Sequence, residues 1–165
     1  MKTIRKASTA DKLLIHQLAS QTWEHTYGHI LTKEQLEYMF DMMYAPDNIV
    51  RQMEEKKHVY FIIYSDNTPC GYISIERVDE NLFIFQKIYL LPSFQGKGIG
   101  RYMIEEGISY IKNVHPGSCK VQLYVNRNNK ALEFYKRMQF NIIDTRDYPI
   151  GHDYFMNDYI MERDI

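Results

Sequence analysis

The chain has 165 residues, with 20 Lys and Arg set against 21 Asp and Glu for a net charge of −1. A nearly neutral chain sets up no field that would draw it to nucleic acid or to an anionic membrane surface, so neither is expected as a partner. With 45% hydrophobic and 25% charged residues it reads as an ordinary globular chain, one domain over residues 1–165 that buries about 70% of its unfolded surface.

Thr3–Arg5 reads as an opening strand. Ser8 or Thr9 caps a helix expected to reach about Gln21, with Leu14 and Leu18 on one face. Trp23–Ile30 is then an aromatic, histidine-bearing connector. Thr32 and Gln35 form a capping-box pattern ahead of a helix whose Leu36, Met39, Phe40 and Met43 make one apolar stripe. A short helix follows Pro46 and carries Ile49, Val50 and Met53. The period then changes to that of strands. Val59–Tyr64, Cys70–Val78 and Leu82–Leu90 are separated by the turn signals Ser65-Asp66-Asn67 and Asp79-Glu80-Asn81, which predicts an antiparallel meander. After the loop Leu91–Gly98 come a helix over Ile99–Asn113, a strand over Lys120–Val125 and a helix over Lys130–Met138. Asn141–Asp147 and Tyr154–Glu162 close the chain as strands. The order predicts an α/β (α+β) domain with a mixed sheet and helices on both faces.

No run of about 18 apolar residues is present, and the charges of Met1–Lys12 precede no apolar segment of the kind a signal peptide needs. Cys70 and Cys119 show neither CxxC spacing nor metal-ligand companions. His16, His25 and His29 are not at HxxxH spacing either, so no metal is expected. A cytoplasmic protein with two reduced, buried thiols is the expectation.

The most informative segment is Ile88-Tyr89-Leu90-Leu91-Pro92-Ser93-Phe94-Gln95-Gly96-Lys97-Gly98-Ile99-Gly100-Arg101. It runs from strand through glycine loop into helix. A helix N-terminus leaves about four amides unpaired and carries partial positive charge, which suits an anion. Gly96, Gly98 and Gly100 permit close backbone approach, and Lys97 and Arg101 add charge. The spacing is neither that of a Walker loop nor that of a dinucleotide fingerprint. A loop that merely turns a strand into a helix is the bland alternative. Against it, glycines inside a helix cost about 1 kcal/mol each.

Gln95-Gly96-Lys97-Gly98-Ile99-Gly100 resembles the Q/R-x-x-G-x-G/A motif of the GNAT family of N-acetyltransferases. Val125–Phe140 resembles the same family's later motif, V-x-x-x-N-x-x-A-x-x-F-Y-x-x-x-G-F, with Gln139 standing where the motif has glycine. The resemblance implies a sheet splayed between its fourth and fifth strands and acetyl-CoA as cosubstrate. It places Gln95, Gly96, Lys97, Gly98, Gly100 and Arg101 on the pyrophosphate. Ile88, Tyr89 and Leu90 face the pantetheine and acetyl group, Asn128 the pantetheine, and Tyr135 the sulfur. Tyr135 is then the expected catalytic acid for the leaving thiolate, since a phenol is protonated at neutral pH. On helical spacing alone, Tyr135 reads as core beside Ala131, Phe134 and Met138.

Many members of the family carry a glutamate base where this chain has Gln86. Glu76, Glu24, His25, Asp147 and His152 are the remaining candidate bases, and a water chain is an alternative. The resemblance places the acceptor over Trp23–His29 and Tyr148–Met156. Trp23, Glu24, Tyr27, Tyr148 and Tyr154 from these segments, with Glu76 from the strand neighbouring that of Gln86, are candidate substrate contacts, an aromatic and acidic wall suited to a cationic amine. Thr22–Tyr27 and His152–Asp158 look like the PaiA-like polyamine branch. Together these imply direct transfer from acetyl-CoA to a small primary amine such as spermidine, and a homodimer is the assembly the family suggests. A non-catalytic acyl-CoA sensor and a transferase for protein N-termini are the competing readings.

Overall fold

The computed structural model describes residues 1–165. Strand β1 (Lys2–Lys6) is followed by helices α1 (Lys12–Tyr27), α2 (Lys33–Tyr44) and α3 (Pro46–Glu54). The meander β2 (Val59–Ser65), β3 (Thr68–Asp79) and β4 (Leu82–Leu90) leads into α4 (Ile99–Val114), then β5 (Lys120–Asn126) and α5 (Leu132–Arg137). The hairpin β6 (Asn141–Gly151) and β7 (Tyr154–Asp164) ends the chain. All seven strands lie in one sheet in the order β1-β2-β3-β4-β5-β7-β6. Only the β4–β5 pair is parallel, which gives the mixed sheet expected.

One expectation fails at the first helix. Ser8 and Asp11 form a capping box over a 3-10 turn, Thr9–Asp11, and α1 then continues through Trp23 to Tyr27. The aromatic stretch is therefore helix and not connector. Trp23 is 3% exposed, packs 4.6 Å from the Tyr27 ring and donates its indole N–H to the Leu36 carbonyl at 3.2 Å. Burial of large rings between two helices outweighs the modest helix propensity of aromatic residues.

Each face of the sheet has its own core. One is filled by Ile73, Ile75, Phe83, Phe85, Met103, Ile104 and Val121 beneath α4 and α5. At Gly107 of α4 an added Cβ would lie 2.5 Å from the Phe85 ring, so only glycine lets helix and sheet approach this closely. The other face packs Ile15, Leu18, Trp23, Tyr44, Ile49, Tyr60 and Tyr72 under α1, α2 and α3. Gln139, at the motif glycine, takes φ +71°. The helix still closes with Phe140 N–H bonded back to the Tyr135 carbonyl at 3.1 Å, the Schellman pattern carried by a non-glycine residue.

Candidate active site

Parallel pairing of β4 with β5 covers only Leu82↔Lys120 through Phe85↔Leu123. Beyond it β4 stays paired to β3 alone and β5 to β7 alone. The two strands therefore separate at Gln86 and Tyr124 and leave facing edges of unpaired backbone groups. Between Ser74 and Ile75 the register of β3 on β4 also slips, so that Gln86 is an extra, bulged residue.

Directly after β4, Gly96 and Gly98 both take φ +77°, and Gly98 caps α4. The amides of Gly96, Lys97, Gly98, Ile99, Gly100 and Arg101 find no acceptor within the chain. They converge on the head of a 16-residue helix, the arrangement that binds a phosphate. A cleft of about 790 Å³ runs from this loop along Ile88, Tyr89 and Leu90 to Tyr135. That volume suits a ligand with a long arm, and Lys130, Arg137 and Arg101 ring its mouth with positive charge. The unpaired amides, the basic rim and the long cleft fit the diphosphate and pantetheine of coenzyme A.

Of the residues expected at the cofactor, Ile88, Tyr89, Leu90, Gln95, Gly96, Gly98, Gly100, Arg101 and Tyr135 line this cleft. Lys97 does not; its ammonium lies over the Phe94 ring at 5.6 Å. Asn128 is exposed as well, and Asn129 takes its place. The Asn129 side chain accepts from the Ala131 amide at 2.9 Å, while the Asn128 amide is bonded to Asn126 Oδ1. Residues between the motif's valine and alanine number one fewer than the pattern requires, and this is what shifts the asparagine. His25, Thr26 and His29, from the end of α1 and the turn after it, also line the cleft. His25 is one of the candidate bases, and all three fall in the segment expected at the acceptor, yet here they line the coenzyme cleft.

A second, smaller cavity of about 30 Å³ occupies the seam itself. Its walls include Tyr27, Gln86, Tyr89, Asn129 and Tyr135. The Tyr27 and Tyr89 hydroxyls are 2.9 Å apart, and burial pushes the Tyr27 phenol up to about 12. Burial likewise raises Tyr135, so its phenol stays protonated at neutral pH. Tyr135 is 8% exposed and belongs to the core while lining both spaces.

The aromatic wall is only partly assembled. Trp23 is core, and Tyr27 faces Tyr89. Glu24 is exposed on α1. Tyr154 packs 5.7 Å from Tyr38, and Tyr38 donates to the Ile150 carbonyl at 2.7 Å, tying α2 to the β6–β7 hairpin. Tyr148 is 53% exposed, but the Arg146 guanidinium lies 5.0 Å over its ring and 3.7 Å over Tyr124. The cation that these rings hold is thus the protein's own. Asp147 is paired with Arg127, and His152 stacks against Tyr38. Glu76 lies on β3 with its carboxylate bonded to Gln86.

A strand that splits from its parallel neighbour, followed by an amide-rich loop at a helix head, defines a coenzyme A-dependent acyltransferase site. The acetyltransferase (GNAT) domain model matches residues 56–142, and the chain belongs to that family and uses acetyl-CoA. A spermidine N(1)-acetyltransferase of Thermoplasma acidophilum is 27% identical over 158 residues, 93% of this chain and 94% of the relative. Among solved structures, the PaiA N-acetyltransferase of Thermoplasma acidophilum in complex with coenzyme A is 24% identical, with a TM-score of 0.84 over 100% of this chain and 99% of that one. The spermidine/spermine N-acetyltransferase SpeG from Vibrio cholerae is 18% identical, with a TM-score of 0.68 over 99% and 95% of the two chains. At these identities the two structures speak for the fold. No group of His, Cys, Asp and Glu in the chain is arranged to hold a metal ion, and no helix is long and apolar enough to cross a membrane.

Proposed function

We propose that the protein acetylates a primary amine of a small, cationic molecule of the polyamine type, by direct attack of the amine on acetyl-CoA. The observation that carries this reading is the seam. Its cavity is walled by Tyr27, Tyr89 and Gln86, and the Gln86 side chain is bonded to the Glu76 carboxylate. A carboxylate with no lysine or arginine bonded to it favours a cationic acceptor over a neutral one. The spermidine-acetylating relative, matched over nearly its whole length, supports the polyamine class. Unpaired amides on the split strands polarise the thioester carbonyl. Tyr135 gives its proton to the departing sulfur and acts as the general acid.

Thiol release from acetyl-CoA with spermidine, putrescine, peptides and amino sugars tests this. Spermidine-dependent release with none from peptides is expected. Tyr135→Phe is expected to cut turnover about 100-fold while coenzyme affinity, read by calorimetry, holds. Coenzyme binding with no amine able to provoke release would make the chain a sensor. Release with peptides alone would favour protein N-termini.

A further inference from the structure

The usual strand position of the base is filled by Gln86, yet a carboxylate stands one strand away. Glu76 is on β3, and its Oε1 accepts from Gln86 Nε2 at 2.8 Å. Glu76 pairs in register with Ile84, and Gln86, two residues further along β4, projects from the same face, so the two side chains are diagonal neighbours across the pair. Behind the carboxylate, His58 Nε2 is 3.4 Å from the same oxygen. The His58 side chain is 9% exposed, and its Nδ1 has no partner.

The groups facing Glu76 leave it free to act. His58, from the segment before β2, and Gln86, from β4, are bonded to it, and the charges of Lys56 and Lys87 lie near enough to act on His58. Burial keeps His58 below its ordinary value, so it offers a neutral imidazole and not a cation. The Lys87 ammonium turns away to Gln52 and Tyr60. Glu76 Oε1 is taken by Gln86 and His58, and Oε2 is open. The carboxylate is 24% exposed, which gives it a route to bulk water. On its other side, Gln86 forms a wall of the seam cavity, whose ≈30 Å³ has room for a water molecule.

We propose that Glu76 is the general base of this acetyltransferase, reached from the seam through one water beside Gln86, with Gln86 and His58 as the residues that position it. The inference rests on the amine-acetylating reading above. The incoming alkylammonium gives one proton to the seam water, which passes one to Glu76 Oε2. The nitrogen lone pair then attacks the thioester carbonyl carbon. The C–N bond forms and the C–S bond breaks, with its electron pair leaving on sulfur. Sulfur takes a proton from Tyr135. The second proton on nitrogen, by way of solvent, restores the phenol, and Glu76 releases the first proton to bulk water. One proton is released per acetyl group transferred.

The test is Glu76→Gln assayed with two diamines of similar shape. One is an alkyl diamine, protonated at neutral pH. The other is fluorinated so that its nitrogen is already neutral. A base is needed for the first and largely dispensable for the second. The variant is expected to lose about 100-fold in kcat/KM with the alkyl diamine and less than about fivefold with the fluorinated one. The double exchange Glu76→Gln with Gln86→Glu returns a carboxylate to the seam and is expected to regain at least about tenfold with the alkyl diamine. Equal losses with both amines, no loss at all, or a double exchange no faster than the single one would overturn the assignment. If the unsubstituted protein turned over neither amine, the amine-acetylating reading itself would fall, a separate result from any of these.

Discussion

The two faces of the sheet are built from different chemistry by neighbouring residues of the same strands. On β3, Ile73 and Ile75 enter the core under α4, while Tyr72 and Ser74 turn to the α1–α3 side, and all four are essentially fully buried. On β4, Phe83 and Phe85 point one way and Lys87 and Tyr89 the other. The first face, aliphatic apart from Phe83, Phe85, Phe140 and Tyr135, is held mainly by shape. The second is a lattice of phenols in which Tyr72 donates to Tyr44 at 2.9 Å and Tyr60 to Gln52 at 2.5 Å. An aliphatic face needs only volume and contact, so it can anchor the helix that presents the phosphate loop. A hydrogen-bonded face fixes directions as well. It is the one that borders Glu76, Gln86 and the Tyr27–Tyr89 pair.

The largest stability effect should therefore come from the aliphatic side. Ile73→Ala empties a fully buried site whose Cδ1 would lie 3.2 Å from a Cβ on Gly107. The loss should be about 3 kcal/mol, or about 6–12 °C in melting temperature for a chain of this size. Urea unfolding followed by circular dichroism measures it. A loss below about 1 kcal/mol would mean that the aliphatic face can collapse around the gap, and that the contrast between the faces is weaker than their composition implies.

Much of the element order was legible in the sequence, though not the contrast between the two faces, and the exceptions have physical causes. The meander, the coenzyme loop and the helix after it follow from local chemistry: alternation, turn residues and glycines at a helix head. The end of α1 did not follow. Trp23 is helical because of where its ring is buried, a tertiary fact. Lys97 and Asn128 were placed by pattern, and their neighbours took the cleft. Lys87 gave no signal, since lysine in a strand ordinarily reads as solvent-facing. The Glu76–Gln86 pair was invisible as a pair because it depends on the register of β3 against β4, which neither strand's own residues state.

Tyr72→Phe tests the other face with almost no change of volume. It removes the donor to the Tyr44 hydroxyl, and both residues are 0% exposed. A buried hydroxyl that loses its partner should cost about 1.5 kcal/mol, half the effect of the adjacent Ile73→Ala. A neutral result would show that the phenols pack as rings and that their hydroxyls contribute little.

Lys87→Met should have the smallest effect at neutral pH and the most informative one as pH changes. The Lys87 side chain is 7% exposed, its Nζ lies 4.6 Å over the Tyr44 ring and 5.1 Å over that of Tyr60, and no carboxylate is bonded to it. Burial drives its pKa well below the ordinary lysine value. Methionine fills a similar volume, and the Tyr60 hydroxyl still serves Gln52, so the change at pH 7 should stay within about 1 kcal/mol. The unfolded chain keeps this proton up to about pH 10.4, whereas the folded chain releases it earlier. Between those two points the unfolded state binds more protons, so the stability of the unsubstituted protein should rise with pH. Below the folded-state pKa both states hold the proton and the slope vanishes. The buried tyrosines, whose pKa values are raised, work in the opposite sense above about pH 10, where the unfolded chain ionises first. Urea midpoints at about pH 7, 8 and 9 isolate the lysine. The difference between the unsubstituted protein and Lys87→Met should grow steadily in favour of the former. A constant difference would mean that the two tyrosine faces hold the ammonium as well as water does, and that the polar face tolerates a full charge where the aliphatic one would not.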